Sequence, residues 1–158
     1  MVRPLSKTVA QMLVKIEEIQ DKGLERSEAV SKDLVASALD PKEGFKVVDA
    51  GKLAVQFKKV SGRVFLTGSF EPALTAPCKR CVKEVALPLP VTFSLRMVDK
   101  REAERSEHVE DDDPDQDTRA GTFDLDQVDA EPFDGKTIDL DPIVREQVLL
   151  ALPVSVLC

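Results

Sequence analysis

The sequence predicts an α+β fold: an antiparallel sheet of strand hairpins, covered by a C-terminal helix, with an acidic mobile loop between them. Three observations predict it. Arg63–Phe70 and Val91–Val98 alternate apolar and polar residues with the period of a half-buried strand. Ile138–Pro153 instead repeats its apolar residues at helical spacing. Between these regions, residues 102–117 gather nine acids against one Arg, together with the only His of the chain. Such a stretch has too little apolar surface to offset the entropy of ordering.

Residues 1–11 read as an N-terminal extension and 12–158 as a single domain carrying the acidic insert. Leu13–Ile16 is read as a strand, although Met12, Ile16 and Ile19 also fit helical spacing. Asp21-Lys22-Gly23 turns the chain. A short helix follows, with Leu34, Val35, Ala38 and Leu39 on one side, Ser31 as its cap and Pro41 as its end. The β region starts with the short run Phe45–Val48. Leu53, Val55 and Phe57 then share one face, and Ser61-Gly62 turns the chain into Arg63–Phe70, where Val64, Leu66 and Phe70 share a face. Glu71-Pro72 interrupts. Ala73–Ala76 enters a cysteine turn, Val82–Leu87 leaves it, and Pro88 and Pro90 precede Val91–Val98. Successive hairpins imply antiparallel pairing rather than βαβ units. Structure is expected to resume near Phe123. The C-terminal helix takes Asp141 as its cap with Pro142 at the first helical position, Asp139 being the rival cap. Ile143, Val144, Gln147, Val148 and Ala151 form its apolar face, and Pro153 stops it.

Composition excludes several functions. The net charge of −7 hides a basic middle. From Ala50 to Val98, eight basic residues against two acids leave +6; from Asp99 onward, six against eighteen leave −12. A basic segment of this kind is an electrostatic footprint for a polyanion, or else a solvated sheet face balanced by the acids. The absence of Trp and Tyr, with only seven Phe, argues against a base-stacking surface of the usual aromatic kind. No apolar run reaches the length of a membrane span, and no apolar signal core follows the N-terminus, so a soluble cytoplasmic protein is expected. One His, no Gly-rich phosphate loop and no nucleophile elbow leave no catalytic constellation, so no enzyme is expected.

The chemistry concentrates in Pro77-Cys78-Lys79-Arg80-Cys81. Cys78-x-x-Cys81 has the spacing of a metal knuckle and also of a redox dithiol, and equally of a β-turn with two ordinary thiols. Cys158 and His108 are the residues that could complete a tetrahedral site. The redox reading needs a βαβ setting, and here the motif lies between strands. Lys79, Arg80 and Lys83 would depress the thiol pKa values and attract phosphate.

Gly68-Ser69-Phe70 followed by Cys78-Lys79-Arg80-Cys81 resembles the "G…C-x-R-C" core of the YceD family, formerly a domain of unknown function. The helix stretch Ile138-Asp139-Leu140 through Val144-Arg145-Glu146 to Leu152-Pro153 is similar to that family's second hallmark. Leu13–Ile16 looks like its first strand, and an acidic insert between the motifs is in character. The resemblance runs from about Met12 onward. It implies a small bacterial or plastid protein, without enzymatic activity, required for accumulation of large-subunit ribosomal RNA and associating with that RNA or a pre-ribosomal particle. Many relatives carry further cysteines past the position of Cys158, where this sequence ends, and the two cysteine groups look like a zinc site. The resemblance leaves two alternatives: zinc as a cofactor, with Cys78, Cys81 and Cys158 as candidate ligands, or a protein that dispenses with the metal.

The leading expectation is therefore a ribosome-biogenesis factor touching RNA through Lys58, Lys59, Arg63, Lys79, Arg80 and Lys83. Its acidic loop would shield that surface or engage a basic ribosomal protein. A protein-interaction module and a zinc or thiol protein are the alternatives.

Overall fold

A computed structural model describes residues 12–60, 63–102 and 130–158. The extension at 1–11, the Ser61-Gly62 turn, the acidic insert from 103 onward with His108, and the expected restart at Phe123 lie outside them. In chain order the elements are β1 (Leu13–Lys15), β2 (Leu24–Ala29), α1 (Lys32–Ser37), β3 (Lys46–Asp49), β4 (Lys52–Val60), β5 (Arg63–Phe70), β6 (Ala73–Pro77), β7 (Glu84–Pro88), β8 (Val91–Asp99), β9 (Ala130–Phe133), β10 (Thr137–Asp139) and α2 (Leu140–Ala151). The fold is α+β, with antiparallel sheets and a C-terminal helix, as the periodicities predict.

The centre of the molecule is a long antiparallel meander bent across two sheets. β3 leads into β4, β5 into β6 and β7 into β8, each through a two-residue break. β4, β5 and β8 lie in a five-stranded sheet of order β2-β4-β5-β8-β9, whereas β3, β6 and β7 form a second sheet. The pairing frame carries through the break, since Phe70 opposes Val91 and Ala73 opposes Pro88. A β-bulge near Val47 and Asp49 absorbs the bend on the other side. Gly51 sits at the bend with φ +75°, and a Cβ there would lie 2.7 Å from the Glu71 carbonyl oxygen. Only glycine tolerates both the backbone and the approach. The Leu89 amide donates to the Pro72 carbonyl at 2.9 Å and ties the third strand into the same corner.

Alternation assigns the faces of the five-stranded sheet. Leu53, Val55, Phe57, Val64, Leu66, Phe70, Val91, Phe93 and Met97 are buried on the inner face. Gly68 lies in that inner row because the ring of Phe93 occupies the space a side chain would need: a Cβ on Gly68 would meet Phe93 Cζ at 2.3 Å. α2 joins the inner-face core through Leu140, Ile143, Val144 and Val148. Burying side chains of this size contributes about 1.5–3 kcal/mol each.

Sequence expectations need correcting at three points. The cap of α2 is Asp139, whose carboxylate accepts from the Asp141 amide at 3.1 Å, so the helix starts at Leu140 rather than at Pro142. Asp141 is instead buried in the first turn and accepts from the Met12 amide at 3.2 Å. Leu140 returns a bond from its own amide to the Met12 carbonyl at 3.0 Å, and β1 pairs with β10 beside it. Second, Leu24–Ala29 is a strand that charged residues conceal from periodicity, because Arg26 and Glu28 fall on its inward side. They are compensated there: Arg26 pairs with Glu18 at 3.1 Å and Glu28 at 3.4 Å. Third, β9 joins β8 in parallel, a pairing no hairpin argument supplies. The short helix α1 is capped as expected, Ser31 Oγ accepting from the Leu34 amide at 3.2 Å. No helix among the described residues is long and apolar enough to cross a membrane.

The contact between Gly68 and the Phe93 ring gives a direct test of the core. Gly68→Ala should destabilise the protein by about 1–3 kcal/mol through overpacking. The double variant Gly68→Ala/Phe93→Leu should recover part of that loss in chemical denaturation, because the ring is what the new methyl meets.

Candidate metal centre and cationic surfaces

The β6–β7 hairpin is closed by the cysteine turn. The Cys78 amide donates to the Lys83 carbonyl at 2.8 Å, and the Val82 amide donates back to the Cys78 carbonyl at 2.9 Å. Closing the turn puts Val82 at φ 63°, in the left-handed region. That conformation is strained for a β-branched residue, and strain of this kind persists only where surrounding structure enforces it.

The segment following α2 supplies part of that enforcement. It crosses the turn so that the Lys79 amide donates to the Val156 carbonyl at 3.0 Å and Lys79 Nζ reaches the Val154 carbonyl at 3.4 Å. Val156 is buried there. A small cavity of about 200 Å³ beside the turn is lined by Phe45, Pro77, Val82, Pro153 and Val154, among others.

This crossing brings the third cysteine to the first two. Cys81 Sγ and Cys158 Sγ are 3.5 Å apart. All three sulfurs, of Cys78, Cys81 and Cys158, lie within 4.8 Å of one another. Cys78 is buried, while Cys81 and Cys158 are exposed. Cys78 Sγ accepts from the Arg80 amide at 3.4 Å and the Cys158 amide at 3.3 Å. Backbone N–H groups of Cys81, Arg80 and Cys158 directed at the sulfur lower its pKa to about 6, against an opposing effect of burial. The Cys158 thiol moves the other way. Its side-chain hydrogen bonds to Cys81 and then Cys78, together with the charge on Cys78, push its pKa up. Cys78 is thus the sulfur of the cluster that the surrounding backbone favours as a thiolate.

The donor set fits zinc. Thiolates at about 2.3 Å from a tetrahedral zinc stand about 3.8 Å from one another; the Cys81 and Cys158 sulfurs are 3.5 Å apart, and Cys78 Sγ lies within 4.8 Å of both. Amide donors to a ligating sulfur orient it and moderate its charge. Among the described residues three donors meet at this point, enough for three corners of a tetrahedron. His108, the other candidate from sequence, lies outside the described residues. The thiols can also form a disulfide or stay as they are; the arrangement has no strand-to-helix setting of the redox kind.

The six cations expected to touch RNA are all exposed, and they fall into two groups. Lys79, Arg80 and Lys83 ride on the cysteine turn. Lys58, Lys59 and Arg63 surround the β4–β5 hairpin end. The strand path from Arg63 to Pro77 separates them, roughly 45 Å of extended chain at about 3.3 Å per residue before its bend. The groups therefore occupy opposite ends of the meander. Among the described residues no carboxylate pairs with any of the six, the ion pairs there being those of Arg26 and Lys46. Composition alone did not single out Arg96, which stands next to the hairpin group. Cross-strand register places it opposite Phe65, itself opposite Lys58.

A sequence model of the family described as "Large ribosomal RNA subunit accumulation protein YceD" matches residues 66–158, from within β5 through the cysteine turn and α2. Neither the curated proteins nor the solved structures yield a match.

Two measurements check the centre. In metal-free protein, thiolate absorbance should show one group titrating near pH 6, and Cys78→Ala should remove that step. Because the folded pKa lies below the ordinary value, the stabilisation is complete above about pH 9 and is lost as pH falls through about 6. Zinc at a thousandfold excess over its Kd should raise Tm by roughly 10 °C, and Cys78→Ser should abolish the rise. An unchanged Tm on adding zinc would exclude a structural metal.

Proposed function

The chain belongs to the YceD family, and from that premise we propose that it is a non-enzymatic factor in large-subunit ribosomal RNA accumulation, acting by association with that RNA or a pre-ribosomal particle. The observation that carries this reading is the state of the six cations. They are exposed and, among the described residues, not engaged by carboxylates. Cations in that condition can replace the counterions of a phosphate backbone, which is the dominant source of affinity for nucleic acid. Placed at two ends of a bent meander, they suit a long polyanion better than a compact ligand.

In this reading the cysteine centre is structural. Cys78, Cys81 and Cys158 would hold zinc, whose chemistry there is to neutralise thiolate charge. The protein's own contribution is to position Lys79 and Arg80, which lie between the two ligating residues of the turn. A second reading, a protein-interaction module, is favoured by the exposed apolar side chains Val82, Leu150, Val154 and Leu157, of which Val154 is 97% exposed. A basic ribosomal protein attracted by the acidic insert would be such a partner.

Binding to large-subunit RNA as a function of salt tests the proposal. Replacing Lys79, Arg80 and Lys83 with Ala should weaken binding across RNA sequences and flatten the log–log salt slope by about 2, at roughly 0.7 per single-strand phosphate contact. Stability should hardly change, since exposed charges contribute little. Wild-type affinity and slope in this variant and in the corresponding Lys58/Lys59/Arg63 variant would hand the case to the interaction module. Depletion of the protein should reduce large subunits in a sucrose-gradient profile.

A further inference from the structure

On the outer face of the five-stranded sheet Gln56, Lys58, Phe65, Thr67 and Ser94 are exposed, and these residues are not those of an ordinary solvated face. β5 is the central strand of that sheet. Its Phe65 points away from the core, 38% exposed, while Val64 and Leu66 on either side are buried. Lys58 and Arg96 oppose Phe65 from the two neighbouring strands, so one cross-strand row reads cation, aromatic, cation. Directly opposed Cβ atoms in such a row lie about 4.5–5.5 Å apart, within reach of an aromatic ring and long cationic side chains. Arg63 is exposed at the same end of β5.

The adjacent row is Gln56, Thr67 and Ser94, small hydrogen-bonding side chains in register. They line an open depression of about 540 Å³, a volume in the range of small-molecule sites. The acid in this row, Glu25, is held by Gln56 Nε2 at 2.8 Å. Arg96 Nε is buried and has no hydrogen-bond partner among the described residues. A buried guanidinium donor without an acceptor is costly, and in a native site it calls for one.

We propose that this face binds an unpaired nucleotide of single-stranded RNA, its base stacked on Phe65 and its phosphates held by Lys58, Arg63 and Arg96. The proposal rests on the RNA-association reading and adds a site and a substrate form to it. An aromatic ring flanked by cations on the open face of an antiparallel sheet supplies stacking and phosphate contact together, and the row of hydroxyl and amide groups beside it suits the edges of a base. A chain poor in aromatic residues needs only one ring to seat one base. An acidic peptide would use the cations but leave the ring's face without a stacking partner, so the aromatic favours the nucleotide.

The test compares a twelve-nucleotide oligoadenylate with an abasic oligomer of the same length and charge. The wild-type protein should bind the base-bearing strand about 5- to 100-fold more tightly. Phe65→Leu, which keeps apolar volume and removes the π-face, should lose that preference while its affinity for the abasic strand and its salt slope stay unchanged. Phe65→Tyr should retain the preference. Thermal unfolding of each variant at the wild-type Tm shows that the sheet is intact. Equal wild-type affinity for the two strands, or a preference that survives Phe65→Leu, overturns the proposal and leaves the wider RNA reading standing. Failure of the wild-type protein to bind either strand or large-subunit RNA removes both. A polyglutamate peptide that binds as tightly as the base-bearing strand, in a Phe65-dependent way, overturns the proposal in favour of an acidic protein partner.

Discussion

The close approach of Gly51 to the Glu71 carbonyl decides how the rest of the molecule is laid out. A three-strand meander of this length, kept flat, would expose both faces and hold no core. Bending at one corner splits it into two sheets, and the inner face of the larger one can then receive α2. The corner is made from small means: a positive-φ glycine, a Glu-Pro pair in the opposing strand, a bulge before it and a proline-flanked leucine after it. Each removes or diverts a ladder hydrogen bond where the strand must change sheet. The same bend puts the hairpin end and the cysteine turn at opposite extremities, so the positive charge of the middle segment is divided rather than pooled.

The cysteine centre solves a different problem, that of holding a short hairpin and a C-terminal segment together with little buried area. Backbone amides aimed at Cys78 do part of this without a metal, because each is a donor satisfied by a sulfur that it also helps to ionise. A single thiolate can be accommodated in this way. Three close thiols cannot all ionise unless a cation joins them, since each new charge raises the cost of the next. As long as the thiols stay reduced, the geometry thus favours few charges on the cluster unless a divalent metal joins them.

How much of this is legible in the sequence depends on which interaction sets each feature. Strands β4, β5 and β8 are written in strict alternation because one face of each is buried, and α2 is written in its apolar face for the same reason. β2 is not, because its inward positions Arg26 and Glu28 satisfy each other near the sheet's edge and so need not be apolar. The cap of α2 is a choice between two aspartates that look alike in sequence; burial of Asp141 against the Met12 amide, a contact spanning most of the chain, settles it. Cys78 and Cys81 announce themselves by spacing, but their meeting with Cys158 depends on where the chain goes after Pro153. Phe65 and Arg96 carry no local signal of association. Their partnership exists only once β5 and β8 are paired in the observed register, and a one-residue slip would send Phe65 into the core and Leu66 to solvent.

The energetics also separate the parts of the molecule that can change independently. The cations at both ends are exposed, so removing them costs the fold little, and selection on them acts through whatever they bind. The inner face, by contrast, is packed tightly enough that one methyl group at Gly68 has nowhere to go. Phe65 belongs to neither class. It is an apolar side chain kept partly in water on a strand whose register the core already fixes, so the fold does not require an aromatic ring there. A threonine or serine, as at the neighbouring outward positions Thr67 and Ser69, would serve the sheet equally well. What distinguishes an aromatic at that position is the flat apolar face it presents between two cations: the ring can pack against their side chains, and its exposed part can meet something that comes to it from outside.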